Sequence, residues 1–242
     1  VLDSWEASSR AVDHYEAFWF PHTDRAMVKS NTRLAPGAPA PGGDPKVRGR
    51  ITRFIEDDLI GNGAFAAALA VARAVPKATP MLNNVAVGAM AANRYRSRAH
   101  DVFATPRRVR FHETEFAVPL ENGPEAVREI RRELDRRNWL IPFPLELRTT
   151  AADDVALSTS TGRESMYIAF HVPRAMNPHE YFPAVQDILK AAGGRPHWGK
   201  MHTLGREDFS EMYPRFDEFC ALREHMDPAR KFGSEHLTRL FG

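Results

Sequence analysis

Glu146-Leu147-Arg148 and, further along, Arg195-Pro196-His197-Trp198-Gly199-Lys200 hold the side chains best suited to chemistry. If the first word lies on a strand, alternation sends Glu146 and Arg148 to one face and Leu145, Leu147 and Thr149 to the other. Same-face neighbours are then roughly 7 Å apart. A carboxylate that accepts, next to a guanidinium that donates, can hold the hydroxyls of a polyol from both sides. On spacing alone, the commoner use of such a pair is a partly buried ion pair that fixes strand register. In the second word, Gly193, Gly194, Pro196 and Gly199 impose special backbone geometry around the functional side chains. Lys200 could stabilise a developing anion, and His197 could donate to an electronegative ring atom. The plainer alternative packs Trp198 in the core and leaves Lys200 in water.

Three further candidates are weaker. His171 ends the apolar run MYIAFHV and reads as structural, unless its strand lies beside Glu146 and Arg148 and shares their pocket. Trp19 to Arg25 (WFPHTDR) reads as a core strand leading into a hydrogen-bonded turn. Asp153-Asp154 has no His or acid at ligand spacing, so a turn cap is expected and no metal. There is no Gly-x-Gly-x-x-Gly, no Gly-x-x-x-x-Gly-Lys-Ser/Thr and no Gly-x-Ser-x-Gly. The chain therefore has no nucleotide fingerprint or serine-hydrolase elbow of its own, and any cofactor must be held mainly by something else.

The elements that must position these residues follow from periodicity. Strands are expected at His14–Phe20, Met27–Arg33, Glu113–Pro119, Pro144–Thr150, Val155–Ser158 and Ser165–Val172. Ala-rich text predicts helices at Ile51–Ala74 and Pro80–Tyr95, whose broad apolar faces are expected to bury each other. Gly123-Pro124 opens a helix to Arg137 with the stripe Val127, Ile130, Leu134 and a solvated arginine face. Another runs from Pro178 to Ala192 and stops at Gly193-Gly194, and a last one spans Pro214–Met226. Residues 34–46 pack four prolines and three glycines into thirteen residues and read as an exposed, flexible loop. Without a βαβ rhythm, the pattern favours an α+β domain with a mainly antiparallel sheet flanked by helices.

Composition narrows the class. The chain has 242 residues, 43% hydrophobic, with 33 Lys plus Arg against 31 Asp plus Glu. That is one large domain's worth of core without a basic face, so nucleic acid is not an expected partner. The single cysteine, Cys220, reads as the buried side of a helix and fits a reducing compartment, so a cytoplasmic location is expected. No run of about 18 apolar residues is present. Membrane association stays open but has no sequence signal. Val1-Leu2-Asp3 enters structure at once without an initiator Met, and the chain is expected to be part of something longer.

The segments YEAFWFPHTDRAMVKSN (15–31), LELRTTAADDVALSTSTGRES (145–165), GGRPHWGKMHTL (193–204) and YPRFDEFCALREHMDPARKF (213–232) together are specific. They occur in family order, and the chain resembles the C-terminal half of the FAD-dependent sugar-1,4-lactone oxidases and dehydrogenases. These are D-arabinono-1,4-lactone oxidase-like enzymes, relatives of alditol oxidase in the vanillyl-alcohol-oxidase superfamily.

The resemblance implies that residues 1–242 form a cap, or substrate-binding, domain over the flavin. FAD would be held chiefly by an N-terminal FAD-binding domain or chain absent from this sequence. It implies that Glu146 and Arg148 bind substrate hydroxyls, with Arg148 also near the flavin, that Lys200 sits at the reacting centre, that His197 touches the flavin, and that His171 lines the pocket. It further implies hydride transfer from a sugar lactone or polyol to flavin N5, with Arg148 and Lys200 stabilising the negative charge that develops. This chain alone is then expected to be inactive. A cap of an alditol oxidase, or a sugar-binding module that has lost its flavin domain, are the alternatives. The 34–46 stretch and the FGSEHLTRLFG tail depart from the family pattern.

Overall fold

The computed structural model describes residues 1–40, 43, 62–90, 92–104 and 107–242. Six strands form one sheet: β1 (His14–Trp19), β2 (Ala26–Asn31), β3 (Phe111–Pro119), β4 (Leu145–Thr150), β5 (Ser165–Pro173) and β6 (Arg195–Pro196). Their order is β2-β1-β4-β5-β3-β6, and every neighbouring pair is antiparallel. Among the described residues the α-helices are α1 (Trp5–Arg10), α2 (Phe65–Ala74), α3 (Thr79–Ala89), α4 (Ala99–Phe103), α5 (Gly123–Arg136), α6 (Pro178–Ala191), α7 (Arg206–Met212), α8 (Phe216–Met226) and α9 (Glu235–Phe241). The α+β class with an antiparallel sheet is thus observed. No helix among the described residues is long and apolar enough to cross a membrane.

The two faces of the sheet are unlike. On one, Phe116, Val118, Leu145, Leu147, Met166, Ile168 and Phe170 are all but sealed from solvent. Ile130 and Leu134 of α5 and Val185 and Leu189 of α6 belong to the same core. The stripe Val127, Ile130, Leu134 therefore faces inward, while Arg128, Arg132 and Arg136 pair with glutamates on the outer side of α5. The other face carries the charges described below.

The sharp exit from α6 brings the chain back to the sheet. Gly193 has φ 80°, and the N–H groups of Gly193 and Gly194 donate to Lys190 O (2.9 Å) and Leu189 O (2.8 Å). This is the helix ending that glycine permits. β6 follows at once, with Arg195 opposite Ala117 and Pro196 opposite Phe116.

Several expectations need correction. Val155–Ser158 is a turn, not a strand. Asp153 accepts from Val155 N–H at 3.1 Å and from the Ser158 hydroxyl, and Ser158 N–H reaches Val155 O at 3.0 Å. These local bonds satisfy groups that a ladder would otherwise need. The helix expected over 80–95 ends at Ala89, because Met90 adopts an extended conformation. The part of the 51–74 helix before residue 62 lies outside the described residues, as does most of 41–46 of the expected loop. Nor do α2 and α3 bury each other: Val71, Val75, Met81 and Val85 are 46–62% exposed. The Asn83 amide instead ties α3 to Pro21 O (2.9 Å) and Ile141 O (3.0 Å), turning that side inward. Cys220 is only half-buried. Trp198 does join the core, stacking on Phe241 with centroids 5.6 Å apart.

A buried lattice of charge on one sheet face

Register places the chemistry-bearing residues in rows. Glu146 of β4 pairs with Ala169 of β5, which pairs with Glu115 of β3. In the next row Glu16 of β1, Arg148, Tyr167, Ala117 and Arg195 follow one another across the sheet. In the row on the other side, His171 stands opposite Glu113. Because Cβ atoms alternate across a strand, these residues share one face. Ala169 at the centre puts only a methyl group between two carboxylates.

Three acids on that face are nearly sealed from water: Glu115 is 1% exposed and Glu146 4%, and the Glu113 side chain is 9% exposed. Unpaired, such groups would be strongly unfavourable. Each is paired. Arg148 donates to Glu115 Oε1 at 2.6 Å and stands 3.6 Å from Glu146 Oε1. Arg107 donates to Glu146 Oε2 at 3.2 Å. Lys200 donates to Glu113 and is 4.0 Å from Glu115 Oε2. His171 presents Nε2 to Glu113 Oε1 at 3.2 Å and Nδ1 to Pro144 O at 3.1 Å. The result is a continuous chain of contacts: Glu146, Arg148, Glu115, Lys200, Glu113, His171.

The electrostatics follow from these contacts. Burial alone would push the Glu113 carboxyl up, but hydrogen bonds from His171 and Lys200 outweigh it and hold the group at about 2. Burial likewise works against the Arg148 charge, yet Glu115, Glu146 and Glu16 raise its pKa above the ordinary guanidinium value. One valence is left over. Glu115 Oε2 is buried without a hydrogen-bond partner, which makes it an acceptor available to a ligand's O–H or N–H.

The second sequence word is laid along the edge of the sheet. His197 N–H donates to Glu115 O (2.9 Å) and Met201 N–H to Glu113 O (3.0 Å), clamping the intervening turn to β3. Lys200 thereby reaches the lattice instead of solvent. His197 does not: its Nδ1 accepts from Gly199 N–H at 3.1 Å, which assigns the ring hydrogen to Nε2. Arg195 is structural, donating to Met212 O (2.9 Å) and Thr161 O (2.8 Å).

A cavity of about 560 Å³ opens beside the lattice. Glu146, Arg148 and His171 line it, with Phe18, Phe111 and Phe143 as apolar walls. That volume suits a small polar molecule. Of the five residues singled out from the sequence, four are joined in the lattice and His197 stands outside it. Glu113 and Glu115 were overlooked as site residues, as were Glu16 and Arg107. The i, i+2 acids of Glu113-Thr114-Glu115 carry the same alternation signal as Glu146 and Arg148. Among the described residues no group of three or more His, Cys, Asp or Glu is arranged to hold a metal ion, and Asp153 serves its turn.

Residues 1–240 match the family described as ALO: D-arabinono-1,4-lactone oxidase. L-gulono-1,4-lactone dehydrogenase of Mycobacterium tuberculosis is 37% identical over 231 residues, which cover 95% of this chain and 52% of that protein. L-gulonolactone oxidase of Bos taurus is 28% identical over 250 residues, 100% of this chain and 54% of the relative. Among solved structures, cholesterol oxidase from B. sterolicum superimposes with a TM-score of 0.71 at 15% identity, over 98% of this chain and 55% of that one. At such identity the likeness concerns the fold alone. The chain spans about half the length of the curated relatives it matches.

Proposed function

Because the chain belongs to the D-arabinono-1,4-lactone oxidase family, we propose that it is the substrate-binding part of an FAD-dependent oxidoreductase that oxidises a sugar-1,4-lactone or a related polyol at a CH–OH carbon. The observation that carries this reading is the buried lattice. Three sealed carboxylates held by Arg148, Arg107, Lys200 and His171 on one face are a poor way to stabilise a fold, since an apolar face of the same volume does as well or better. They make sense as a preorganised polar surface.

FAD, when bound with the help of an N-terminal domain or chain outside this sequence, supplies the hydride acceptor. The donor set here fits such a ring: Arg148, Lys200 and the Nε2–H of His197 suit its acceptor atoms, and the unpaired Glu115 oxygen suits an N–H. Glu146 accepts from a substrate hydroxyl while Arg148 donates to its neighbour, so that a vicinal diol or hydroxylactone is held from two sides. His171 holds Glu113 in place, and Glu113 fixes the Lys200 ammonium. Arg148 and Lys200 keep positive charge where negative charge accumulates as hydride departs.

The test uses the flavin-loaded enzyme, mixed anaerobically with L-gulono-1,4-lactone or an alditol while the flavin absorbance is followed. Arg148→Ala and Lys200→Ala should each slow flavin reduction on the order of 10²- to 10³-fold. Reduction at the unmodified rate in both variants would remove them from the chemistry. A purified native protein without any flavin would instead favour a sugar-binding module.

A further inference from the structure

A second, larger cavity of about 930 Å³ lies at the end of the sheet where β4 begins and β5 ends. Leu69, Trp139, Leu140, Pro142, Met176 and Tyr181 give it an apolar lining. Among the described residues its rim is cationic: Arg73, Arg108, Arg110, Arg137 and Arg174 against the acid Glu180. Arg137 already serves Glu133 and covers the Trp139 ring, with its guanidinium carbon 4.9 Å from the centroid.

Arg110 and Arg174 are placed differently. They extend the β3–β5 ladder by one step beyond the Phe111–Pro173 pair, and Arg174 N–H donates to Arg110 O at 3.1 Å. Two arginines thus stand directly opposite each other across an antiparallel pair, an arrangement that repels. Among the described residues neither has an ion-pair partner. Because both residues line the apolar cavity, an anion at its mouth can accept a charge-assisted hydrogen bond from each and relieve the unfavourable pairing.

We propose that this cavity binds an amphipathic organic anion, whose carboxylate, sulfonate or phosphate group bridges Arg110 and Arg174 while its apolar body lies against Leu69, Trp139 and Tyr181. The volume falls in the range of sites that enclose molecules of that size. The site shares only Asn62 and Val109 with the cavity beside the charge lattice, and it does not depend on the proposed oxidation.

Calorimetric titration of the purified full chain with decanoate tests the proposal. Saturable one-to-one binding is expected, weakened about tenfold or more in Arg110→Ser/Arg174→Ser. It should be unchanged in Arg132→Ser, an exposed arginine of α5 that pairs with Glu125 and Glu129. Leu69→Asp, which puts a like charge in the apolar wall and leaves both arginines, should also abolish binding while its melting curve stays cooperative. The absence of saturable binding by the unmodified chain overturns the proposal, as does equal binding by the double variant. So does inorganic phosphate or decanol binding as tightly as decanoate, because the first dispenses with the cavity and the second with the arginines.

Discussion

Glu115 is the residue on which the site turns. It receives Arg148, lies 4.0 Å from the Lys200 ammonium, and keeps one buried oxygen free. Replacing it with the isosteric amide in Glu115→Gln keeps one oxygen that can accept from Arg148 but removes the buried negative charge and turns the position facing Lys200 into an NH2 donor. The expected loss is about 2–3 kcal/mol of stability, the range for breaking one partner out of a buried charged set, seen as a lowered melting temperature of the purified chain. Melting unchanged from the parent would show that Arg148 does not lean on the Glu115 charge. In the flavin-loaded enzyme the same change should raise KM for the lactone more than an equally destabilising change in the core. Part of this was legible beforehand. Alternation alone puts Glu146 and Arg148 on one face, but which strands flank them depends on pairing between residues far apart in sequence. Glu115 comes within reach of Arg148, and Glu113 within reach of His171, only because β3 pairs with β5 and β5 with β4.

At the scale of elements, the placement of Lys200 depends on how α6 ends. A Cβ on Gly194 would lie 2.5 Å from Leu189 O and 3.1 Å from a Val118 methyl. The first of these is backbone, which cannot swing aside. Gly194→Ala should therefore cost about 1–3 kcal/mol and shift β6 and the turn that follows. The readout is the ratio of effects: flavin reduction should suffer more than melting temperature alone accounts for, whereas Gly205→Ala, with 3.9 Å of room, should move neither much. The glycine pair was readable as a stop signal, and the amphipathic stripe of α5 as a packing face, because both are local. The error at Val155–Ser158 has the opposite origin. Its apolar residues suggest a strand, but Asp153 and Ser158 supply hydrogen bonds at closer range than any ladder. The exposure of Val71, Val75, Met81 and Val85 was not readable either, since broad apolar faces say that something can be buried and not where the chain will dock them.

For the molecule as a whole, two largely buried groups whose titration is displaced within the acid range, His202 and Glu113, divide its acid stability into separate windows. His202 packs against Phe209 and His236. Burial, reinforced by Arg239 and His236, lowers its pKa to about 4 from an ordinary 6.5. A base held neutral in the folded state takes up its proton more readily when unfolded, so its contribution is complete above pH 6.5 and disappears as the pH falls to about 4. Glu113 acts lower down. Held at about 2 against an ordinary 4.5, it stabilises the fold above pH 4.5 and loses that contribution as the pH falls towards 2. Each group is worth on the order of 2 kcal/mol. Melting temperature followed from pH 7 down to pH 3 should therefore decline in two stages. His202→Phe should flatten the upper stage and leave the lower one. Glu113→Gln should reduce stability at neutral pH, because Lys200 and His171 lose the shared negative charge and one of them meets an NH2 donor in place of an oxygen, while making the decline below pH 4.5 shallower. A His202→Phe variant whose melting falls as steeply as the parent's between pH 6.5 and 4 would place the acid sensitivity elsewhere.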